Sequence, residues 1–232
     1  DVTAAVRYDK YSDFGSTTNP KFGFRYQPSS TLLVRGSYST GFRAPSLYEI
    51  NAAQTYTNTS QQDDPINCPG GTAIPGKSPA TNCAQQFQAL FGGNQNLDPE
   101  ESKNLTLGVV FEPIANLTLG ADLYRIELEK QIGSLSENDV FADPVKYASL
   151  YHRNGAGNLS TDGSQCPNPA TCGYVDLRTQ NLGGLKTDGV DLTAAYRLRA
   201  GDWGNFNLGL NSTWVHRYEY QNEEGGAWNQ NV

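Results

Sequence analysis

The sequence has no methionine, only two histidines, and a hydrophobic share of 37% across its 232 residues. That share is below what a globular domain usually carries, so a large dry core is not expected. No stretch approaches the roughly 18 consecutive apolar residues of a membrane-spanning helix. This excludes α-helical spans only, because a β span needs just about 9–11 alternating residues. Basic residues are outnumbered 17 to 24, giving a net charge of −7. Nucleic acid is therefore not an expected partner, since phosphate binding needs a basic surface. Neither His152 nor His216 accompanies a nucleophile motif, and GxSxG and HExxH do not occur. No enzymatic activity, no metal and no cofactor is expected on these grounds. No signal peptide is legible either. The chain opens on what reads as mid-domain strand, Asp1-Val2-Thr3-Ala4, so both ends are expected to be cut.

Four cysteines are present, in two local pairs: Cys68 with Cys83, and Cys166 with Cys172. Both pairs lie in Pro/Gly/Asn-rich segments without a histidine, and zinc would prefer tighter spacing with His or Cys partners. Two loop disulfides, Cys68-Cys83 and Cys166-Cys172, are expected, and they require an oxidising compartment.

Period-two alternation is the dominant pattern. Val2, Ala4, Val6 and Tyr8 alternate with Thr3, Ala5, Arg7 and Asp9, and Phe22, Phe24 and Tyr26 with Gly23, Arg25 and Gln27. Five more runs follow, around Leu32–Ser39, Leu105–Glu112, Leu117–Tyr124, Val190–Leu198 and Phe206–Trp214. About seven strands of an all-β protein are therefore predicted. The polar face decides what kind. Arg7, Asp9, Arg25, Arg35, Asp122, Asp191 and Arg197 would be ruinous in a dry core, whereas in a water-filled barrel lumen they cost little. Tyr26, Phe111, Tyr196 and Phe206 sit near strand ends, where a membrane-interface girdle places aromatics.

The connections sort by length. Pro28-Ser29-Ser30, Pro113 to Asn116 and Ala200 to Asn205 are tight, and Gly15 to Asn19 reads as a further short link. Two are very long, about 41–100 and 133–184. Short turns at one end and long loops at the other characterise outer-membrane barrels, whereas long structureless loops are rare in compact soluble domains. Inside the long loops, helices are predicted from Cys83 to Phe91, capped by Asn82 and ended by Gly92, and from Asp143-Pro144 to about His152. Arg125 breaks the phase of its strand, through either a bulge or an exit from the bilayer. Gly189 permits a bend or bulge at the rim.

At this point the sequence resembles a known family. Arg35-Gly36-Ser37-Tyr38-Ser39-Thr40-Gly41-Phe42-Arg43-Ala44-Pro45-Ser46-Leu47 looks like the R-x-S-Y-S-x-G-F-R-A-P-S-L segment of TonB-dependent receptor barrels. Gly93-Asn94-Gln95-Asn96-Leu97-Asp98-Pro99-Glu100-Glu101-Ser102 is similar to that family's G-N-P-x-L-x-P-E-x-S. Tyr124-Arg125-Ile126 falls where the family's next hairpin puts it. Asn181-Leu182-Gly183, followed by Thr187-Asp188-Gly189-Val190-Asp191-Leu192, resembles a later strand entry. These ordered matches cover most of the chain.

The resemblance implies a transmembrane antiparallel β-barrel of about 22 strands closed around an N-terminal plug, of which residues 1–232 would supply about a third of the wall as part of one domain. It further implies the cell outer membrane of a Gram-negative bacterium, outer-membrane lipid as surroundings, and a TonB-box on the plug contacting the TonB-ExbB-ExbD complex. No plug or TonB-box is legible in this chain. Energy-coupled uptake of a scarce nutrient follows, by default a ferric siderophore, with oligosaccharide or peptide as other transported ligands.

Arg43 is placed at the lumen mouth, to meet either an anionic ligand or an acidic partner, and Glu100 is expected to pair with a lumen arginine. Tyr48, Tyr56, Phe91 and Tyr151, with Phe87 and Tyr147, would either stack on a ligand or pack the loops. The acidic pairs Asp63-Asp64 and Glu223-Glu224 read as solvated loop charge, since calcium needs several convergent oxygens. Glu127 and Glu129 share a strand face, as a glycosidase pair would, but read as exposed charge. Two other function classes stand beside the receptor: a passive or structural outer-membrane barrel, which would lack plug and TonB-box, and a secreted soluble β-sandwich binding module, which would need no detergent.

Overall fold

The computed structural model of the protein describes residues 1–12, 15–166, 171–223 and 225–231. In chain order the strands are β1 (Val2–Tyr11), β2 (Gly15–Ser29), β3 (Leu32–Arg43), β4 (Thr55–Gln62), β5 (Gln85–Phe91), β6 (Glu100–Ile114) and β7 (Leu117–Glu129). They continue as β8 (Ile132–Gly133), β9 (Tyr151–His152), β10 (Tyr174–Asp176), β11 (Gln180–Asn181), β12 (Leu185–Arg199), β13 (Asn205–Tyr220) and β14 (Asn229–Gln230). Short helices α1 (Leu47–Asn51), α2 (Pro79–Asn82) and α3 (Glu137–Ala142) interrupt them. The chain divides into two compact units: residues 1–44, 98–131 and 181–232, and residues 45–97 and 132–180.

The first unit is a wall. Its sheet runs β1-β2-β3-β6-β7-β12-β13-β14, every pairing antiparallel. All seven strands anticipated from alternation are in it. The pairs Arg43↔Glu100, Glu101↔Glu129 and Leu185↔Leu128 put both long excursions at one end of the sheet. The opposite end carries tight turns, with Asn116 at φ 68° and a 3-10 turn over Gly201–Trp203. The first hairpin is tighter than expected: Gly15 to Asn19 are strand, not link, and Tyr11 already faces Gly15. Residues 13 and 14, between them, lie outside the described residues.

Register makes the wall two-faced. Val34 pairs with Val109, which pairs with Ala121, which pairs with Leu192. One row along, Leu107, Leu123, Val190 and Trp214 continue the apolar face. These side chains are bare: Phe22 is 53% exposed, Leu208 58% and Leu210 63%. The apolar stretch covers from five residues (Phe22–Tyr26) to nine (Val190–Leu198) of a strand, the longest on the order of 25 Å, the height of a barrel's lipid-facing band.

Arg125 settles its own alternative. Pairing runs unbroken through it on both sides, Leu105↔Arg125 and Asp188↔Arg125, so no bulge lies there. Instead the outward face itself turns charged above this row, where Arg125 meets Glu127 at 2.5 Å, Lys103 meets Glu129 at 2.8 Å and Arg217 meets Asp188 at 2.6 Å. Charge on the lipid side marks where the apolar band ends. The bulge is on β13, where His216 is the extra residue opposite Asp188 and Gly189 of β12; a side chain at Gly189 would run into the Trp214 carbonyl and the Tyr124 ring.

The second unit corrects the picture of structureless loops. β4-β5-β10-β9 form a four-stranded sheet, with β5 and β10 parallel. The segment read as a helix from Cys83 to Phe91 is strand β5 from Gln85 onward. Phe87, Gln88, Ala89 and Leu90 are all buried, and a strand covered on both faces loses the alternation that would distinguish it from a helix. Asn82 is the last residue of α2 rather than a cap, and Gly92 ends the strand at φ +130°. The second predicted helix is also displaced. α3 precedes Asp143, which is its C-cap, and only a 3-10 turn at Ala148–Leu150 stands before β9.

Candidate functional site

On the polar face of the wall the predicted lumen residues are held by hydrogen bonds. Arg7 Nε meets Asp9 at 2.7 Å, and Arg25 donates to Gln27 at 3.0 Å. Arg35 grips Asp122 with both arms, at 3.0 and 2.8 Å. That bridge crosses β6 at Gly108, which faces both residues in register. A Cβ there would collide with the Asp122 carboxylate and come within 3.2 Å of Arg35 Nε. Asp191 accepts from Thr213 at 2.6 Å, and Arg197 shares its side of β12 with Asp191. Arg43 is bound by Glu100, two parallel bonds of 2.7 Å each. Glu127 and Glu129 are likewise salt-bridge partners, of Arg125 and Lys103.

In the loop unit the aromatic candidates divide between two faces of one sheet. Phe87, Ala89 and Val175 point into a core closed by Val140 and Phe141 of α3, with Tyr147, Leu159 and Leu177. Phe91 and Tyr151 pack against it. The Tyr151 ring lies edge-on to Phe141 at 5.6 Å and its hydroxyl donates to the Val140 carbonyl at 3.0 Å. Burial, outweighing the nearby Arg153, pushes the Tyr151 phenol well above its ordinary range. Both residues are therefore engaged in packing.

Tyr56 belongs to the other face. Its ring meets Tyr174 edge-on at 5.2 Å, and His152 stacks on Tyr174 at 4.6 Å with only 17° between planes. Asp176 and Arg178 stand beside them, joined at 2.9 and 2.6 Å. Burial raises the Tyr174 phenol, helped by Tyr56 and Asp176. Burial likewise opposes the Asp176 charge, but hydrogen bonds from Arg178 prevail and its carboxyl is held below the usual range. Tyr48 stands apart on α1, 80% exposed. That helix begins in a capping box, with Glu49 N–H donating to Ser46 Oγ and Ser46 N–H donating back to Glu49.

Sequence reasoning missed Tyr174, His152 and the Asp176–Arg178 pair. The i, i+2 spacing of Asp176 and Arg178 is the one signal that was available. It also missed a buried polar clamp. Asp64, read as solvated charge, is fully buried and held by Arg153 through two bonds of 2.7 Å. The N–H groups of Ile66 and Asn67 add bonds of 2.9 and 3.0 Å. Burial pushes the Asp64 carboxyl up, yet these donors outweigh it and leave its pKa lowered. Its neighbour Asp63 accepts from the Ala84 N–H at 2.7 Å. Glu224 of the other acidic pair lies outside the described residues.

Cys68 is bonded to Cys83 with Cα atoms 5.5 Å apart, and Cys166 to Cys172 with 4.2 Å. Asp63, Cys68 and Cys83 bring three potential ligand atoms together. Two of them are disulfide sulfurs, not the thiolates a zinc site needs.

Residues 1–231 match the family described as TonB dependent receptor-like, beta-barrel. A probable TonB-dependent siderophore receptor, PirA, of Acinetobacter baumannii is 26% identical over 120 residues, 51% of this chain and 14% of that protein. The ferric enterobactin receptor PirA of Pseudomonas aeruginosa is 27% identical over 128 residues, 53% of this chain and 15% of that protein. This chain thus aligns with about a seventh of either relative's length. The crystal structure of the siderophore receptor PirA from A. baumannii superposes with a TM-score of 0.59 at 16% identity, covering 96% of this chain and 27% of that one. The RagAB peptide importer superposes with 0.53 at 17% identity, covering 97% and 21%. With seven two-faced strands in register and a family match along the whole wall, the chain belongs to the TonB-dependent receptor β-barrel family.

Proposed function

We propose that these residues are wall and external loops of an outer-membrane receptor that imports a ferric siderophore, energised through TonB. The observation that carries this is the pairing of a lipid-compatible wall with two long, folded excursions at one sheet end, in a chain whose named relatives are siderophore receptors. The match to the TonB-dependent receptor family speaks against a passive barrel, and a soluble sandwich would bury the apolar face that stands bare here. In this reading the apolar face meets outer-membrane lipid, and Arg7, Asp9, Arg25, Arg35, Asp122, Asp191 and Arg197 line the lumen. A plug elsewhere in the receptor makes the contact to the TonB-ExbB-ExbD complex.

Tyr56 and the exposed His152, braced by Tyr174, offer an aromatic surface on which the flat rings of a chelator stack. Phe91 and Tyr151 then support the loop framework and Arg43 the rim of the wall rather than the ligand, since these three are already committed to packing or to Glu100, while Tyr48 stays exposed. The test is uptake of radioactive iron as its siderophore complex in iron-starved cells. Cells carrying the receptor accumulate iron, cells lacking TonB bind it without accumulating it, and Tyr56→Ala with His152→Ala lowers binding about tenfold. Accumulation that persists without TonB would contradict the reading.

A further inference from the structure

The loop that the first disulfide closes carries, at its mouth, three donor atoms that import does not use. Asp63, Cys68 and Cys83 bring one carboxylate oxygen and two sulfurs within 4.8 Å of one another. The sulfurs are bonded, on Cα atoms 5.5 Å apart, and Asp63 Oδ1 stands 3.9 Å from the Cys68 sulfur. Zinc bonds of about 2.3 Å to sulfur and about 2.1 Å to oxygen set a tetrahedral S-to-O edge of about 3.6 Å. The matching S-to-S edge is about 3.8 Å. The carboxylate is thus nearly in place, and side-chain rotation is enough to part sulfurs carried at this Cα spacing once their bond is cut.

Hydrogen bonds hold the mouth closed beside the disulfide. The Asp64 N–H donates to the Asn82 carbonyl at 2.8 Å, and the Cys68 N–H to the Asp64 carbonyl at 2.7 Å. Asn67 Nδ2 donates to Asn82 Oδ1 at 3.1 Å, and the Ala84 N–H to Asp63 Oδ1 at 2.7 Å. Residues 63–68 and 82–84 are therefore stitched together without the bridge, and its sulfurs stay neighbours after reduction. The Ala84 N–H also orients the carboxylate, as outer hydrogen bonds orient metal ligands.

The donor set selects the ion. Two thiolates with one carboxylate suit Zn2+ and are poor ligands for Ca2+ or Mg2+, which take oxygen. Cys68 is fully buried, Cys83 half-buried and Asp63 exposed. The ion therefore enters from the Asp63 side and keeps a water in its fourth position. We propose that the reduced loop mouth is a zinc site, so that disulfide and metal are interchangeable staples of one loop. A trialkylphosphine reduces the bridge, taking oxygen from water and leaving both sulfurs protonated. Zn2+ then displaces those two protons, so its affinity rises with pH. Neither TonB nor the transported ligand takes part.

The test uses the full-length receptor in mild detergent, with zinc counted by elemental mass spectrometry after gel filtration from micromolar Zn2+. Phosphine-reduced wild type retains one zinc ion more than the oxidised protein, a comparison that needs no variant. Reduced Cys68→Ser with Cys83→Ser lacks that ion. Co2+ in place of zinc shows the near-ultraviolet charge-transfer bands of metal-bound thiolate. Asp63→Asn, with both thiols intact, weakens retention at least about tenfold, the least that loss of even a supporting partner costs. Asp202→Asn, in a turn of the wall, leaves it unchanged. Equal zinc in both redox states, an extra ion that survives loss of Cys68 and Cys83, or Asp63→Asn binding as tightly as wild type would each overturn the proposal. All three results leave the receptor reading standing.

Discussion

The two units of this chain solve the problem of apolar side chains in opposite ways. Every buried hydrophobic residue of the described structure lies in the loop unit, from Cys68 and Phe87 to Val175 and Leu177. The wall has none, and leaves Val2, Phe22, Leu107, Leu208 and Leu210 exposed. The polar residues are inverted too. In the wall, Arg35 and Asp122 pair on an open face; in the loop unit, Asp64 is sealed beneath Arg153. Water, lipid and protein interior are three different solvents, and the same residue types are sorted by which one they meet. A charge is therefore cheap to remove from the polar face of the wall, expensive to remove from the clamp, and destructive to add on the apolar face.

The largest expected effect is at the clamp. Arg153→Ala leaves the Asp64 carboxylate buried without its charge partner, which costs about 3–5 kcal/mol. Limited proteolysis of the full receptor should then cut within residues 45–97 and 132–180 while the barrel keeps its heat-resistant mobility on gels. Acid should act on the same lock. Asp64 has a lowered pKa in the folded state, so its contribution is present above the unfolded carboxyl value of about 3.9 and fades as pH falls through the lower folded value. Asp176 acts in the same direction. Hydrogen exchange in the loop unit should be flat from about pH 8 to 5, after correction for intrinsic rates, and rise only below about pH 4.

The second effect is in the wall. Leu210→Arg, on the apolar face, should cost about 2–4 kcal/mol of barrel stability. The adjacent Asn211→Arg, on the polar face, should stay within about 0.5 kcal/mol. Urea unfolding in lipid vesicles reads both, and equal costs would mean that the faces are misassigned. The smallest effect is at the open bridge. Arg35→Ala should cost no more than about 1 kcal/mol, because the pair is partly solvated.

The same contrast explains what was legible in the sequence. The wall was readable because a two-faced sheet writes a period of two into each strand. Val2 to Tyr8 and Phe206 to Trp214 show it without help from the rest of the chain. An irregularity at the Gly189 level was legible from local chemistry as well, although its extra residue is His216 on the facing strand; that Arg43 and Glu100 would each find an ion-pair partner was legible, but not that they would find each other.

The loop unit was not readable, because its order is non-local. β5 pairs in parallel with β10, joining Ala89 to Val175. Asp64 and Arg153 stand 89 residues apart. Tyr56 finds Tyr174 and His152 only after both excursions have folded together. Phe87 to Leu90, buried on both faces, carries no period at all.

The most direct test of this account places spin labels one at a time along β7 of the full receptor in bilayers, and compares accessibility to oxygen with accessibility to a water-soluble nickel chelate. The account predicts oxygen maxima at Leu117, Leu119, Ala121 and Leu123, chelate maxima at Thr118, Gly120 and Asp122, and a switch to chelate at Arg125 and Glu127, where the outward face leaves the lipid. A profile without the period of two, or an Arg125 as lipid-exposed as Leu123, would contradict it.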